Sequence, residues 1–412
     1  MFDRWYASTL SARIARPFVH IVFGARQSGK STLIRSLLPA DAEIFDLSNP
    51  GERSRFLREP ERLIKICEAL RGRKEPHTIF VDEVQAVPAL FDAVQHLYDS
   101  DKKRWRFILC GSSARKLRQT GANLLPGRSF VHRLFPLMMA ERPVPKSLQT
   151  TGAGLIPMSF DPPSRNRFPE ADLITRLAYG ELPGIVTADE QDRDAMLNGY
   201  AVLHLEEEIR REGLVRDWGK FQRFLQLAAA ESGQIVNYAA ISNEAALSQP
   251  TVKAHYQLLE DMFIGFTVPA WTRSPRKQLL STPRFFLFDL GLRHTAAGLA
   301  ASPHTVLANP GPIFEQWVGI ELWKRLQYLG KGQLYYMRTK DGAEVDFIIE
   351  HAGEIIPIEV KWTENPSSSD ARHLRTFLAE QKGKARRGYV ICRCNRPMQL
   401  DTNIVALPWH HL

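Results

Sequence analysis

Over the first 140 residues, short apolar runs alternate with longer stretches of helical periodicity, which predicts a parallel sheet covered by helices. His20-Ile21-Val22-Phe23 is bounded by a turn signal and reads as a buried strand. Leu33, Ile34, Leu37 and Leu38 then recur at helical spacing. Glu43-Ile44-Phe45-Asp46-Leu47 is a second strand, ended by Ser48-Asn49-Pro50, and an amphipathic basic region covers residues 53–74. Thr78-Ile79-Phe80-Val81 runs into two carboxylates, Asp82 and Glu83, before a helix marked by Leu90, Phe91, Val94, Leu97 and Tyr98. Phe107-Ile108-Leu109-Cys110 is a further strand that ends in Gly111-Ser112-Ser113, and Phe130-Val131-His132-Arg133-Leu134-Phe135 is the last.

The pattern changes after residue 140. Residues 141–168 are rich in Pro, Ser and Thr without periodicity and read as a surface linker or insertion. Helices dominate residues 169–272. Among them, Tyr238, Ala239, Ile241 and Ala245 share one helix, and Ser248 N-caps the next, with Pro250 in its first turn. That second helix buries Val252, Tyr256 and Leu259 and exposes Thr251, Lys253, His255 and Gln257; Ile264-Gly265-Phe266-Thr267-Val268 follows as a strand. This is a winged-helix pattern, whose exposed helix can lie in a major groove. Trp271, Arg273, Arg276, Lys277 and Arg284 mix aromatic and basic residues as nucleic-acid surfaces do. The competing reading is a module that braces its neighbours, with the basic residues as a solvated face. Residues 273–412 return to an α/β pattern.

Composition changes this picture little. A chain of 412 residues with 44% hydrophobic and 24% charged residues is globular and long enough for two or three domains. The net charge of +9 leans toward a polyanionic partner, DNA above all. Cys67, Cys110, Cys392 and Cys394 lack paired metal spacing and read as reduced thiols. No run is long enough to span a bilayer, and the first residues lack a secretory pattern, so a soluble cytoplasmic protein without a membrane partner is expected. Trp409-His410-His411 reads as a polar tail.

The candidate chemistry starts at Gly24-Ala25-Arg26-Gln27-Ser28-Gly29-Lys30-Ser31-Thr32, which fits G-x-x-x-x-G-K-[ST] between a strand and a helix. Two glycines let successive backbone N–H groups converge on phosphate oxygens, and the helix start adds its positive dipole end. Lys30 would reach the β- and γ-phosphates of ATP, and Ser31 would offer a hydroxyl to Mg²⁺. Asp82, at the carboxyl edge of a parallel sheet, can hold the Mg²⁺ shell while Glu83 orients or deprotonates the attacking water. Ser112 or Ser113 ends the next strand, where ATPases of this build carry a polar group for the γ-phosphate; a cap for the next helix is the alternative. Arg128, after Leu124-Leu125-Pro126-Gly127, suits either a finger toward a neighbour's nucleotide or a surface position on a glycine turn.

Together, Gly24 to Thr32, Thr78 to Glu83, Gly111-Ser112-Ser113-Ala114-Arg115-Lys116-Leu117 and Leu125-Pro126-Gly127-Arg128 resemble a family of bacterial and archaeal AAA+-type P-loop ATPases. Members of that family carry a C-terminal PD-(D/E)XK nuclease-like region of undefined role. The resemblance implies ATP binding, hydrolysis and homo-oligomers in a ring or hexamer. The fold implied is a P-loop (AAA+/RecA-like) core over residues 1–140, a helical lid with a winged helix over 169–272, and a restriction-endonuclease-like α/β domain over 273–412. Tyr179-Gly180-Glu181-Leu182-Pro183-Gly184 resembles the family's Gly-Pro turn, with no chemistry assigned.

The C-terminal residues carry a second constellation. In Glu359-Val360-Lys361 the glutamate and lysine share a strand face while Val360 points inward. Asp346 on the adjacent strand can converge with Glu359 on one Mg²⁺ or Mn²⁺, Lys361 can position the water, and Glu315 on a helix can complete the acidic cluster. The order resembles that of PD-(D/E)XK nucleases at these four positions. An active site for branched or duplex DNA and a fold kept only for binding both remain open.

Overall fold

A computed structural model describes residues 2–112, 127–145, 148, 167–205, 209–210, 215–272, 281–339, 342–381 and 383–412. The chain divides into two units: residues 3–136 with 258–264, and residues 137–257 with 265–412.

The first unit is built on a sheet whose central strands are apolar and buried on both faces, while its two edge strands are partly exposed. Helix α1 (Ala7–Ile14) precedes β1 (Val19–Phe23), α2 (Lys30–Leu37) and β2 (Glu43–Asp46). Helices α3 (Pro50–Arg58) and α4 (Arg62–Glu68) lead to β3 (His77–Asp82), α5 (Leu90–Ser100), β4 (Trp105–Gly111) and β5 (Ser129–Arg133). The five strands pair in the order β2-β3-β4-β1-β5, all parallel. Parallel strands put every carboxyl end at one edge, and this gathers the residues after Phe23, Asp82 and Gly111. The basic region expected over residues 53–74 forms these two helices as far as Glu68 and is not helical beyond Ala69, and Asn49 is more than a strand stop. Its side chain accepts from Gly51 N and Glu52 N and starts α3, with Pro50 in the first turn.

A buried polar chain runs across β1 and β5. His20 Nε2 lies 3.1 Å from the Arg16 carbonyl, so it donates; His20 Nδ1 then accepts from His132 Nε2 at 3.2 Å. His132 Nδ1 in turn accepts from the Tyr6 hydroxyl at 3.2 Å. Both rings are therefore neutral, and burial lowers the pKa of His20 and lowers that of His132 to about 3. The unfolded chain binds protons at these rings below about pH 6.5, where the folded chain does not. Stability must therefore fall as pH drops through that range toward 3, at about 1.4 kcal/mol per pH unit for each fully depressed ring. In His132→Asn, which cannot titrate, we expect a shallower decline of Tm between pH 6.5 and 4; an unchanged slope would refute this assignment.

The second unit begins with α6 (Leu173–Tyr179), α7 (Pro183–Val186) and α8 (Glu190–Gly199). Next come α9 (Trp218–Ala230), α10 (Tyr238–Glu244), α11 (Gln249–Asp261), whose residues from Leu258 on count with the first unit, and the antiparallel pair β6 (Gly265–Val268) and β7 (Arg284–Leu287). Ser248 Oγ accepts from Thr251 N at 3.3 Å, as its position before α11 predicts. His255 departs from expectation: it is 8% exposed, with its ring edge-on to Phe221 at 4.9 Å. It shares the apolar spacing of Val252, Tyr256 and Leu259, so it belongs to the core face of α11 and offers nothing to a groove.

Helices α12 (Leu290–Ala296), α13 (Pro303–Ala308) and α14 (Pro310–Leu329) precede β8 (Gln333–Arg338), β9 (Glu344–His351) and β10 (Glu354–Val360). Helix α15 (Arg372–Glu380), β11 (Gly388–Cys392), β12 (Met398–Asp401) and β13 (Ile404–Pro408) complete a mixed sheet ordered β12-β13-β11-β10-β9-β8. The C-terminal residues are no polar tail. Trp409 and His411 are buried, and Trp409 meets Trp317 edge-on at 5.7 Å. Arg142 also departs from the expected surface linker, being 2% exposed beside Glu181. Glu141 and Phe168, at the two ends of that expected linker, are buried as well; residues 146–147 and 149–166, and Arg273, Arg276 and Lys277, lie outside the described residues.

The Tyr179 to Gly184 turn is a buried ionic knot. Glu181 accepts from Arg176 at 2.8 Å and from Arg142 at 3.2 Å. Its backbone N–H donates to Asp289 Oδ2 at 2.7 Å, while Asp289 Oδ1 caps α12 through Leu292 N. Gly180, at φ 70°, leaves no room for a side chain, because a Cβ there would overlap the Asp289 carboxylate. Burial raises the Asp289 pKa to about 6 against these two N–H donors. Among the described residues, no helix is long and apolar enough to cross a membrane.

Candidate functional site: a phosphate loop and a carboxylate cluster

The loop between β1 and α2 is held tightly. Gly24 has no room for a Cβ, which would overlap the Leu134 carbonyl oxygen, and Gly29 caps α2 at φ 86°. Gln27 adopts φ 58°, a left-handed conformation that is uncommon for a side-chain-bearing residue. Ser28 Oγ donates to Ala25 O at 2.9 Å. Arg4 clamps the loop from outside it, donating to Ser28 O and to Phe135 O at 2.7 Å each. Nothing local in the sequence signals Arg4.

Lys30 Nζ donates to Gly24 O and Ala25 O, both at 2.8 Å, which fixes the ammonium in the mouth of the loop. Ser31 Oγ donates to Asp82 Oδ1 at 3.0 Å, and Glu83 N donates to the same oxygen at 3.1 Å. Arg35 lies 3.6 Å from Asp82 Oδ2. A hydroxyl and a carboxylate side by side are hard oxygen donors that fit Mg²⁺, which takes one or two protein ligands and leaves its other positions to phosphates and water. Bound there, the ion would neutralise charge on the phosphates. Arg26 and Gln27 sit in the same loop, and Thr32 is exposed on α2.

Glu83 leaves β3 at φ 55°, turned back toward Gln85. Gln85 Nε2 donates to the Glu83 carboxylate and, at 3.1 Å, to Ser112 Oγ. Strand order thus joins Ser112 to the site; Ser113 lies outside the described residues. Arg128 is not brought here. It precedes β5, which enters at the opposite sheet edge, and its guanidinium pairs with Asp99 at 2.6 Å.

Residues 16–142 match the sequence model of an AAA domain. Residues 170–303 and 310–412 match two domains of unknown function, DUF8612 and DUF4143. An uncharacterized protein of Mycobacterium tuberculosis is 25% identical over 403 residues, 98% of this chain and 82% of its own length. One from Haemophilus influenzae is 25% identical over 371 residues, 86% of this chain and 85% of its own. A RuvB variant from Thermotoga maritima matches at 15% identity over 68% of this chain and 88% of its own, with a TM-score of 0.25. A Vibrio cholerae protein matches at 12% identity over 96% of this chain and 86% of its own, with a TM-score of 0.18. Neither superposition is close enough to carry fold or function across.

The second constellation lies in the other unit. Asp346 on β9 accepts from Val360 N on β10 at 2.8 Å, and Lys361 Nζ meets Glu359 Oε1 at 2.6 Å. Glu315 on α14 joins them electrostatically. Burial, then the Asp346 charge, raises Glu315 to about 7 and Glu359 to about 8. Asp346 is raised mainly by burial. Glu359 Oε2 is buried without a partner, an acceptor that a cation would satisfy. Arg284 is the unexpected member. Instead of joining a basic surface it is 4% exposed, donating to Glu315 at 2.6 Å, to Glu344, and to the Asp346 carbonyl at 3.4 Å. Two side-chain cations thus already neutralise the cluster, and among the described residues no three His, Cys, Asp or Glu side chains are grouped to hold a metal. Asp346 and Glu359 offer oxygen donors suited to Mg²⁺ or Mn²⁺, but two carboxylates fall short of a complete site.

Thr251 and Lys253, the other residues expected to face nucleic acid, lie on α11. Thr251 is half-buried and bonds Ser248 Oγ through its hydroxyl at 2.8 Å. Lys253 is exposed, with Nζ over the Tyr238 ring at 5.1 Å.

Proposed function

We propose that this protein hydrolyses ATP with Mg²⁺ in its AAA domain and uses the cycle to act on DNA. The observation that carries the ATPase reading is the joining of Ser31 and Asp82 beside Lys30 and Glu83 at one sheet edge. Lys30 would stabilise the transferring phosphate, Ser31 and Asp82 would hold the ion, and Glu83 would orient or deprotonate water. The DNA reading is supported by the order α9, α10, α11, β6, β7, which is that of a winged helix, by exposed Lys253 and by the net charge of +9. The position of Arg128 away from its own loop supports a role toward a neighbouring copy's nucleotide in a ring.

A second reading is favoured by Arg284. A carboxylate cluster neutralised by a buried guanidinium suits a nuclease-like domain retained as an interaction platform, with the nucleotide setting its partners. One experiment separates them: ATP turnover with and without forked, duplex and single-stranded DNA, the same samples being run on a gel. We expect DNA-stimulated turnover. Cleavage lost in Lys361→Ala would make the cluster a nuclease, and stimulation without cleavage would make the protein a remodeller. Turnover indifferent to every DNA would overturn the DNA reading in favour of the platform.

A further inference from the structure

We propose that Gln85 is a positioning residue of the ATPase site, holding Glu83 in place and tying it to Ser112. The inference rests on the nucleotide-site reading above. Gln85 follows Glu83 by two residues, beyond the strand, where spacing alone gives it no role. Its amide nitrogen has two hydrogens, and the structure uses both, one on the Glu83 carboxylate and one on Ser112 Oγ at 3.1 Å. The carboxamide cannot be turned over, because its oxygen would then face a carboxylate that only accepts. In the orientation observed, Gln85 Oε1 is buried and unpartnered.

Two neighbours are shaped to this arrangement. Glu83 takes its left-handed φ of 55°, which turns the side chain toward Gln85 instead of along the strand direction. Gly111 leaves the space in which the carboxamide lies, since a Cβ there would come 2.5 Å from Gln85 Oε1. One carboxylate oxygen of Glu83 is thereby engaged by an amide, and the other stays available for water. The same amide links that carboxylate to Ser112, the residue just after β4, so a shift of Ser112 against a phosphate is felt at the water-orienting group. Lys30 and Ser31 are not part of this link, so most of ground-state binding should survive its loss.

The test uses the full chain and measures kcat and KM for ATP, with nucleotide affinity read from a fluorescent ATP analogue. In Gln85→Ala we expect kcat to fall about 100-fold, the scale of a misplaced catalytic group, with affinity within about threefold of the parent. Gly111→Ala, which displaces the carboxamide without removing it, should show the same kcat defect. Combining Gln85→Ala with Ser112→Ala should cost no more than the worse single change, because the two act as one unit. A merely structural role would instead lower Tm and affinity together, and its effects would multiply. Gln85→Ala turning over within about twofold of the parent overturns the inference while leaving the ATPase reading intact. A parent protein without Lys30-dependent turnover overturns that reading and this inference with it.

Discussion

Replacing Glu83 by Gln is expected to lower ATP turnover by about 10²–10⁴-fold, the range general-base groups contribute, while nucleotide binding persists. The expectation follows from how the site divides its work. In the proposed reading, Lys30 and the loop N–H groups would act on phosphate charge already present in the ground state, and Ser31 with Asp82 would serve the ion. Glu83 directly follows β3, and its carboxylate is bonded by Gln85 and not by that pair. Glutamine keeps the size and can still meet an amide, but it cannot take a proton and is a weaker acceptor for water. Single-turnover hydrolysis with excess protein, compared with binding of a fluorescent ATP analogue, would separate the two effects. Turnover reduced less than about tenfold would remove Glu83 from the chemical step. Lys30→Ala should differ in kind, losing affinity as well as turnover.

The phosphate loop was legible in the sequence because its determinants are local: two glycines, a lysine and a serine within nine residues, bracketed by an apolar strand and a helix. Asp82 and Glu83 were legible for the same reason, since an apolar strand must release polar residues at its end. Gln85 was not, because its use depends on β3 lying beside β4, which places Ser112 and the side-chain-free Gly111 against it. Arg4 depends on a chain segment returning to the loop from outside the motif. His255 shows a signal that was present but outweighed. The spacing Val252, His255, Tyr256, Leu259 is that of one buried helix face, and residue type suggested exposure only because histidine is usually polar surface. Arg284 was misplaced for the converse reason: three carboxylate-bearing residues 31 to 62 positions away decide its burial.

Glu181→Ala is expected to destabilise the second unit by about 3–5 kcal/mol, the cost of removing one partner from a buried ion cluster. The carboxylate is 5% exposed and serves two guanidinium groups, Arg142 at 2% and Arg176 at 0%. Burial lowers the Arg176 pKa, and the Glu181 charge opposes that shift. Arginine does not shed its proton in proteins, so alanine would leave two charges in the interior with carbonyl acceptors as their remaining partners. The loss is large against the roughly 5–15 kcal/mol that holds a domain folded. Glu181→Gln should fall between the parent and alanine, because its oxygen still accepts from one guanidinium while the charge is gone. Denaturant midpoints for the three proteins, followed by a probe of the tryptophans, would give the order. If alanine lies within about 1 kcal/mol of the parent, the surroundings relax enough to solvate both arginines, and the Tyr179 to Gly184 turn is not a structural keystone.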